Sequence, residues 1–226
     1  MDKKYMERLF SAGRLARFYE VVRHDTDEAA ALYAGNIQLS ESLYPSLAVA
    51  EVTLRNTIHR QLTYLFQTAD WYQSIGRQPG LSSLQSSIDK AQEHIRDRRE
   101  TVSADKVVAE LNFGFWVTLF NKAYETALWK QLRLAFPHLP KPERQRGTVS
   151  AVVNAVRILR NRVYHNEPIC WQLRTLQEQH AQTLQLIGWI EPQLLPWLSA
   201  IDRFPAVLQA EQARRAAYQA KLADNQ

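Results

Sequence analysis

Three observations predict an all-α chain. Apolar residues in the long segments recur at helical spacing rather than in alternation. Only seven glycines occur in 226 residues. The Asn-Gly and Asp-Gly pairs that make tight β-hairpins are absent.

The elements follow in order. Residues 3 to 22 read as one helix, with Tyr5, Leu9, Leu15, Phe18 and Val22 set among basic residues. Asp25 or Thr26 is the expected N-cap of the next helix, since a short polar side chain accepts from free backbone N–H groups. Asp27 and Glu28 then place negative charge in its first turn. This helix runs through EAAALYAGNIQLSESL, and Pro45 opens or kinks a strongly periodic successor at about 46 to 67. A looser stretch at 68 to 82 holds Trp71, Tyr72, Pro79 and Gly80. The polar segment 83 to 100 is expected to present a solvated helix face.

Ser103 can cap a short helix, ADKVVAEL, before the aromatic segment NFGFWVTLF at 112 to 120. KAYETALWKQLRLAF then leads into a proline-rich basic loop, PHLPKPERQRG, at 137 to 147. Helices follow at about 148 to 165, 172 to 190 and 192 to 200. Beyond Pro205 comes a charged, alanine- and glutamine-rich helix with a weak apolar stripe, expected at the periphery or docked on a partner. No repeat and no glycine-rich linker interrupts the chain. The expected division is a helical domain over 1–202 and a charged helical arm over 203–226.

Composition narrows the class. An apolar content of 46% with 23% charged residues matches a water-soluble chain with a buried core. The net charge of +5 suits an acidic partner without specifying one. A single cysteine, Cys170, excludes an internal disulfide framework and a cysteine-rich zinc site, and fits a reducing compartment. The charged N-terminus MDKKYMERLF lacks the apolar centre of a signal peptide, and no apolar run is long enough to cross a bilayer. A cytoplasmic location is expected. His24, His59, His94 and His180 show no metal-ligand spacing, and neither a phosphate-binding glycine loop nor a nucleophile elbow is present. No metal or cofactor is expected.

The stretch ILRNRVYHNEP, residues 158 to 168, carries the chemistry. At about 100° per residue, Val149, Val152, Val156, Leu159 and Val163 fall on one side of its helix. Asn154, Asn161 and His165 gather opposite, with Arg157 and Tyr164 between them. Asn161 and His165 are one turn apart, so their side chains can meet. His165 comes at the C-terminal end, where the helix dipole favours imidazolium, while Arg160 and Arg162 oppose it. Histidine is the side chain suited to proton transfer near neutral pH.

Arg160 borders the apolar stripe, so its guanidinium calls for an anion. Glu51 lies at the centre of another stripe, formed by Leu47, Leu54, Ile58, Leu62 and Leu65, and is costly there unless paired. Arg55 could reach it along the same helix and Arg160 across a helix packing. A shared cluster of Glu51, Arg55 and Arg160 is expected.

The Arg-x4-His spacing alone is weak, because Arg133 and His138 repeat it in RLAFPH. More specific are three segments taken together: LRNRVYHNEP with an Arg-Asn-x3-His signature, AEVTLRNTI with a Glu-x3-Arg-Asn helix, and LNFGFWVTLF with an aromatic Phe-Gly segment. In this order they resemble the Abi-like, or abortive-infection, proteins of the HEPN superfamily of helical ribonucleases. The likeness covers residues from about 25 to 200. It departs from many HEPN proteins at Glu167, where they have a tyrosine, whereas Tyr164 precedes the histidine here.

The resemblance implies an all-α, HEPN-like bundle that dimerises, bringing two such motifs into one cleft to cut single-stranded RNA without a metal. His165 would act as base or acid on the 2′-OH and the leaving 5′-oxygen. Arg160 would stabilise charge on the phosphate, and Asn161 would position His165 or bind phosphate. Glu51, Arg55 and Tyr164 are supporting candidates. Arg157, Arg162, Lys141, Arg144 and Arg146 are weaker candidates for RNA phosphates, against the plainer reading of solvated cations. An RNA or protein antidote is a further expected partner of a toxin of this kind.

The rival class is a non-catalytic helical RNA- or protein-binding module, with the Arg/His cluster as a structural clamp. A DNA-binding regulator is less attractive, since no helix-turn-helix pair with a basic face stands out. Phe113, Phe115, Trp116 and Phe120 are expected in the core rather than as a base-stacking platform, as are Trp71, Tyr72, Trp189 and Trp197.

Overall fold

The structure, a computed structural model, describes residues 2–224, and among these every regular element is helical. The N-terminal stretch forms two helices rather than one: α1 (Lys3–Phe10) and α2 (Ala12–Val21). The break is at Ser11, whose φ of 67° lies in the left-handed region and whose hydroxyl caps α2 by accepting from Arg14 N–H at 3.3 Å. A serine able to cap therefore divides what periodicity alone joins.

Asp25 caps α3 (Thr26–Ser42), accepting from the N–H groups of Asp27 and Glu28 at 3.1 and 3.0 Å. Pro45 then sits at the start of α4 (Tyr44–Phe66), where its missing N–H costs no helix bond. The looser stretch is a series of 3-10 turns at Trp71–Gln73, Ile75–Arg77 and Ser82–Leu84. Helix α5 (Gln85–Asp97) is not merely a solvated face, because it buries Ile88, Ala91 and Ile95 and packs on α6 (Ala104–Glu110).

Asn112 caps α7 (Phe113–Thr118) through Phe115 N–H at 2.9 Å. The next segment winds unevenly. It passes from a 3-10 turn (Lys122–Tyr124) through a π turn (Glu125–Trp129) to a short α8 (Lys130–Leu132) and a second 3-10 turn (Arg133–Ala135). A 3-10 turn at Lys141–Glu143 precedes α9 (Arg146–Tyr164), and α10 (Leu173–Ile190), α11 (Leu194–Ser199) and α12 (Phe204–Asp224) follow.

The chain divides into two compact units. One comprises Met1–Tyr44, Asn161–Glu178 and Asp202–Gln226; the other comprises Pro45–Arg160 and Gln179–Ile201. In the first unit α12 packs on α3, with Phe204, Leu208 and Glu211 buried, so the segment that reads as an arm belongs to a core. Phe18 anchors that core at 5.2 Å from the Tyr33 ring and 4.7 Å from the Trp171 ring. The Asn36 carboxamide oxygen accepts from Ile169 and Cys170 N–H at 2.7 and 3.2 Å, pinning the chain after α9 to α3.

The second unit is built on an aromatic cluster. Trp71 lies 6.3 Å from Phe115 and 6.0 Å from Trp116, and its indole N–H donates to His59 Nδ1 at 2.9 Å. Phe113, Phe115, Trp116, Phe120, Trp71, Tyr72 and Trp189 are all buried, as expected of core aromatics. Trp197 departs from that expectation, at 57% exposure. No helix among the described residues is long and apolar enough to cross a membrane.

Candidate functional site

The boundary between the units runs through α9, after Arg160, so the two ends of the Arg-Asn-x3-His stretch have their surroundings in different units. On the Arg160 side, the buried face of α9 is Val149, Val153, Val156 and Leu159. Val153 replaces Val152 in the expected stripe, turning the face toward the line Val149, Val153, Val156 and Arg160, spaced by four, three and four residues. Arg160 thus extends the buried row rather than bordering it, and the helix spacing explains its need for an anion.

Glu51, on the buried side of α4 with Leu47, Leu54, Ile58 and Leu62, supplies that anion. Arg160 donates Nε to Glu51 Oε2 at 3.1 Å and Nη2 to Oε1 at 3.4 Å. The two side chains are 24% and 19% exposed, so the pair is sheltered but not sealed. The expected cluster of three is a pair. Arg160 takes both carboxylate oxygens, and Arg55 instead donates Nε to Asn56 Oδ1 at 3.4 Å. Leu65, expected in the same stripe, is 39% exposed near the end of α4.

On the other side of the boundary, His165 is the C-cap of α9. Asn166 N–H donates to Val163 O at 3.1 Å and Glu167 N–H to Arg162 O at 2.8 Å, with Asn166 at φ 55°. These bonds form the Schellman turn, in which asparagine is the commonest substitute for glycine in the left-handed position. The imidazole is exposed on a backbone held by His165 N–H donating to Asn161 O at 2.9 Å. That backbone bond is what joins Asn161 to His165; among the described residues no side-chain hydrogen bond links them. Tyr164 is 40% exposed and stacks on Tyr44, ring centroids 6.1 Å apart.

The other cations are distributed differently. Arg162 folds back on the chain after the helix, donating to Pro168 O and pairing with Glu167 at 3.6 Å. Arg144 closes its own loop by donating to Pro137 O and Leu139 O at 2.9 and 2.8 Å. Arg146, the first residue of α9, is 18% exposed and pairs with Glu125 at 2.9 Å while donating to Phe120 O at 2.8 Å. Lys141 is exposed. Arg157 donates twice to Asn154 Oδ1, at 3.0 and 2.8 Å, beside a cleft of about 380 Å³ that Ser83, Asn112, Asn121 and Tyr124 also line. Two of the three loop arginines and lysines therefore hold the fold, and Arg157 faces a polar hollow.

The second Arg-x4-His spacing shows what the sequence match alone is worth. Arg133 is exposed and donates to Lys130 O at 3.2 Å, while His138 lies in the turn after Pro137 with its N–H donating to Trp189 O at 3.1 Å. That copy straddles a helix end and a proline.

Sequence reasoning missed a second charge cluster. Glu211 of α12 is 5% exposed and accepts from Arg214 at 2.8 and 3.0 Å and from Arg215 at 2.7 Å, and Arg214 also pairs with Glu28 of α3. Burial acts most strongly on this carboxyl and raises its pKa, but the two guanidiniums together outweigh it and hold the net value below the ordinary glutamate range. The missed signal was Glu-x2-Arg-Arg spacing on the one face of α12 that also carries Phe204 and Leu208. His59 is held below the ordinary histidine value by burial, with Arg60 adding to the effect and Asp105 opposing it. Among the described residues no group of three or more histidine, cysteine, aspartate or glutamate side chains is placed to hold a metal ion.

None of the family models, curated proteins or solved structures compared with the chain matches it.

Proposed function

We propose that the chain is a metal-independent endoribonuclease of the abortive-infection or toxin type, related to the HEPN ribonucleases, which cuts single-stranded RNA as a homodimer. The observation that carries the reading is the state of the two motif residues, Arg160 in the last turns of α9 and His165 at its C-cap. A guanidinium is oriented by a carboxylate that grips its Nε and Nη2, and five residues later an exposed imidazole stands on a rigid helix cap.

These are the parts the reaction requires. His165, as base, takes the proton from a ribose 2′-OH, whose oxygen attacks the adjacent phosphorus. The P–O5′ bond breaks, and a proton delivered to O5′ completes the leaving group, by His165 of the same or a second copy. The products are a 2′,3′-cyclic phosphate and a 5′-hydroxyl. Arg160 stabilises the charge gathered on the non-bridging oxygens, and Glu51 acts as its positioning residue. In this scheme Asn161 offers a further polar group to the phosphate, and Arg157 and Lys141 offer cations to the strand.

One observation favours the rival reading, a helical binding module. The Glu51–Arg160 pair, 19% and 24% exposed, is also what a clamp between α4 and α9 requires. Cleavage separates the two. Purified protein incubated with single-stranded RNA and a chelator is expected to yield 2′,3′-cyclic phosphate ends. His165→Ala and Arg160→Ala are expected to lose at least about a hundredfold in rate, with an unchanged circular dichroism spectrum. RNA bound but left whole by the wild-type protein would leave only the module.

A further inference from the structure

Within the first unit, a cleft of about 560 Å³ is lined by the residues on either side of His165, Tyr164 and Asn166. Its size falls within the range of small-molecule sites. Arg14 of α2, Ile37 and Glu41 of α3, and Tyr44 share in lining it. Tyr44 and Tyr164 stack with centroids 6.1 Å apart and planes 23° from parallel, yet remain 58% and 40% exposed. Tyr33, in the same hollow, has its ring covered by Phe10 at 5.1 Å and Phe18 at 5.2 Å, the ordinary fate of a large aromatic. The contrast marks Tyr44 and Tyr164 as a surface platform rather than core.

The rest of the lining agrees with a planar, partly polar ligand. Ile37, 52% exposed, extends the apolar wall. The Arg14 guanidinium is held at the cleft by donating to Asn166 O at 2.8 Å, which supplies a cation suited to a phosphate. Glu41, paired with Arg203 at 2.6 Å, provides an acceptor of the kind that reads exocyclic amino groups. Every nucleobase has a π face, so a tyrosine platform accepts bases with little regard to sequence. Chain connectivity places this platform directly beside the histidine assigned to proton transfer.

We propose that the cleft is a nucleobase subsite for single-stranded RNA, in which the base next to the scissile phosphate stacks on the Tyr44–Tyr164 wall. The choice of RNA as ligand rests on the ribonuclease reading, so the experiment measures binding separately from cleavage. The probe is a fluorescent 2′-O-methyl oligonucleotide of randomised sequence, which lacks the attacking hydroxyl, together with the same backbone made abasic and a 5-iodouridine form for photocrosslinking.

Wild-type protein is expected to bind the base-containing probe and to crosslink at Tyr44 or Tyr164, mapped by mass spectrometry. Tyr44→Leu is expected to weaken binding about tenfold or more, and to bind the abasic probe no worse than wild type does. Binding unchanged in Tyr44→Leu with crosslinks mapped elsewhere overturns the subsite and leaves the ribonuclease reading standing. Altered sedimentation of Tyr44→Leu with unchanged probe binding also overturns it, and assigns the cleft to contact between protein copies. Stacking at Tyr44 in a protein that never cleaves RNA supports the subsite while removing the nuclease. The wild-type crosslink requires no variant, so a poorly folding Tyr44→Leu still leaves a decisive result.

Discussion

Each unit holds a carboxylate low in its packing, and the two are compensated in different ways. Glu51 in the second unit is 19% exposed and meets one arginine, Arg160, from a helix 109 residues away in the chain. Glu211 in the first is 5% exposed and meets Arg214 and Arg215 from its own helix, with Glu28 balancing the second positive charge through Arg214. Compensation supplied locally, at i+3 and i+4, is in place as soon as α12 forms, and it allows nearly complete burial. Compensation supplied across α4 and α9 depends on tertiary packing and leaves the pair open to water. The deeper cluster, completed by Glu28 of α3, does what a structural element needs, whereas the shallower pair leaves its carboxylate, 19% against 5% exposed, more open to water.

That contrast breaks most visibly at Glu211. Glu211→Ala leaves Arg215, 26% exposed, without a carboxylate and Arg214, 28% exposed, with Glu28 alone, and is expected to destabilise the fold by about 3–5 kcal/mol, read from denaturant unfolding. The same carboxyl sets an acid limit. Its pKa is lowered in the folded state, so its stabilising contribution is complete above the ordinary glutamate value of about 4.3 and is lost as pH falls through the lowered folded value. A Glu211→Gln protein is expected to show a flatter decline over that range. An equal acid slope in both would show that the cluster contributes no proton linkage.

A smaller effect tests how tightly the cluster is seated. A Cβ on Gly35 of α3 would lie 2.6 Å from Glu211 Oε2, a carboxylate oxygen that Arg214 holds in place. Gly35→Ala is expected to cost about 1–3 kcal/mol by overpacking, despite the better helix propensity of alanine. Unchanged or raised stability would mean that the carboxylate moves aside freely.

The smallest expected change sharpens the other side of the comparison. Glu51→Gln keeps a hydrogen-bond acceptor for Arg160 while removing the charge, and in a half-sheltered pair is expected to cost about 1 kcal/mol of stability. If Arg160 serves catalysis, RNA cleavage should fall well beyond what that loss of stability accounts for. Equal, small effects on both would place the pair with Glu211, as a fold element only.

The amino-acid sequence by itself determined the helical class, the order of the long helices and several of their ends. These features are local, written in apolar spacing and in capping residues such as Asp25, which act within one turn. It also singled out Glu51 and Arg160, since a charge inside an apolar stripe demands a partner wherever the helix packs. Tertiary structure alone decided that the partner is Arg160 rather than Arg55, and that α9 buries Val153 rather than Val152. The same packing closed α12 over α3 and left Tyr44 and Tyr164 side by side on an open cleft. The reason is distance along the chain: periodicity states that a face is buried, while the groups that meet it are brought there by helices up to 186 residues away.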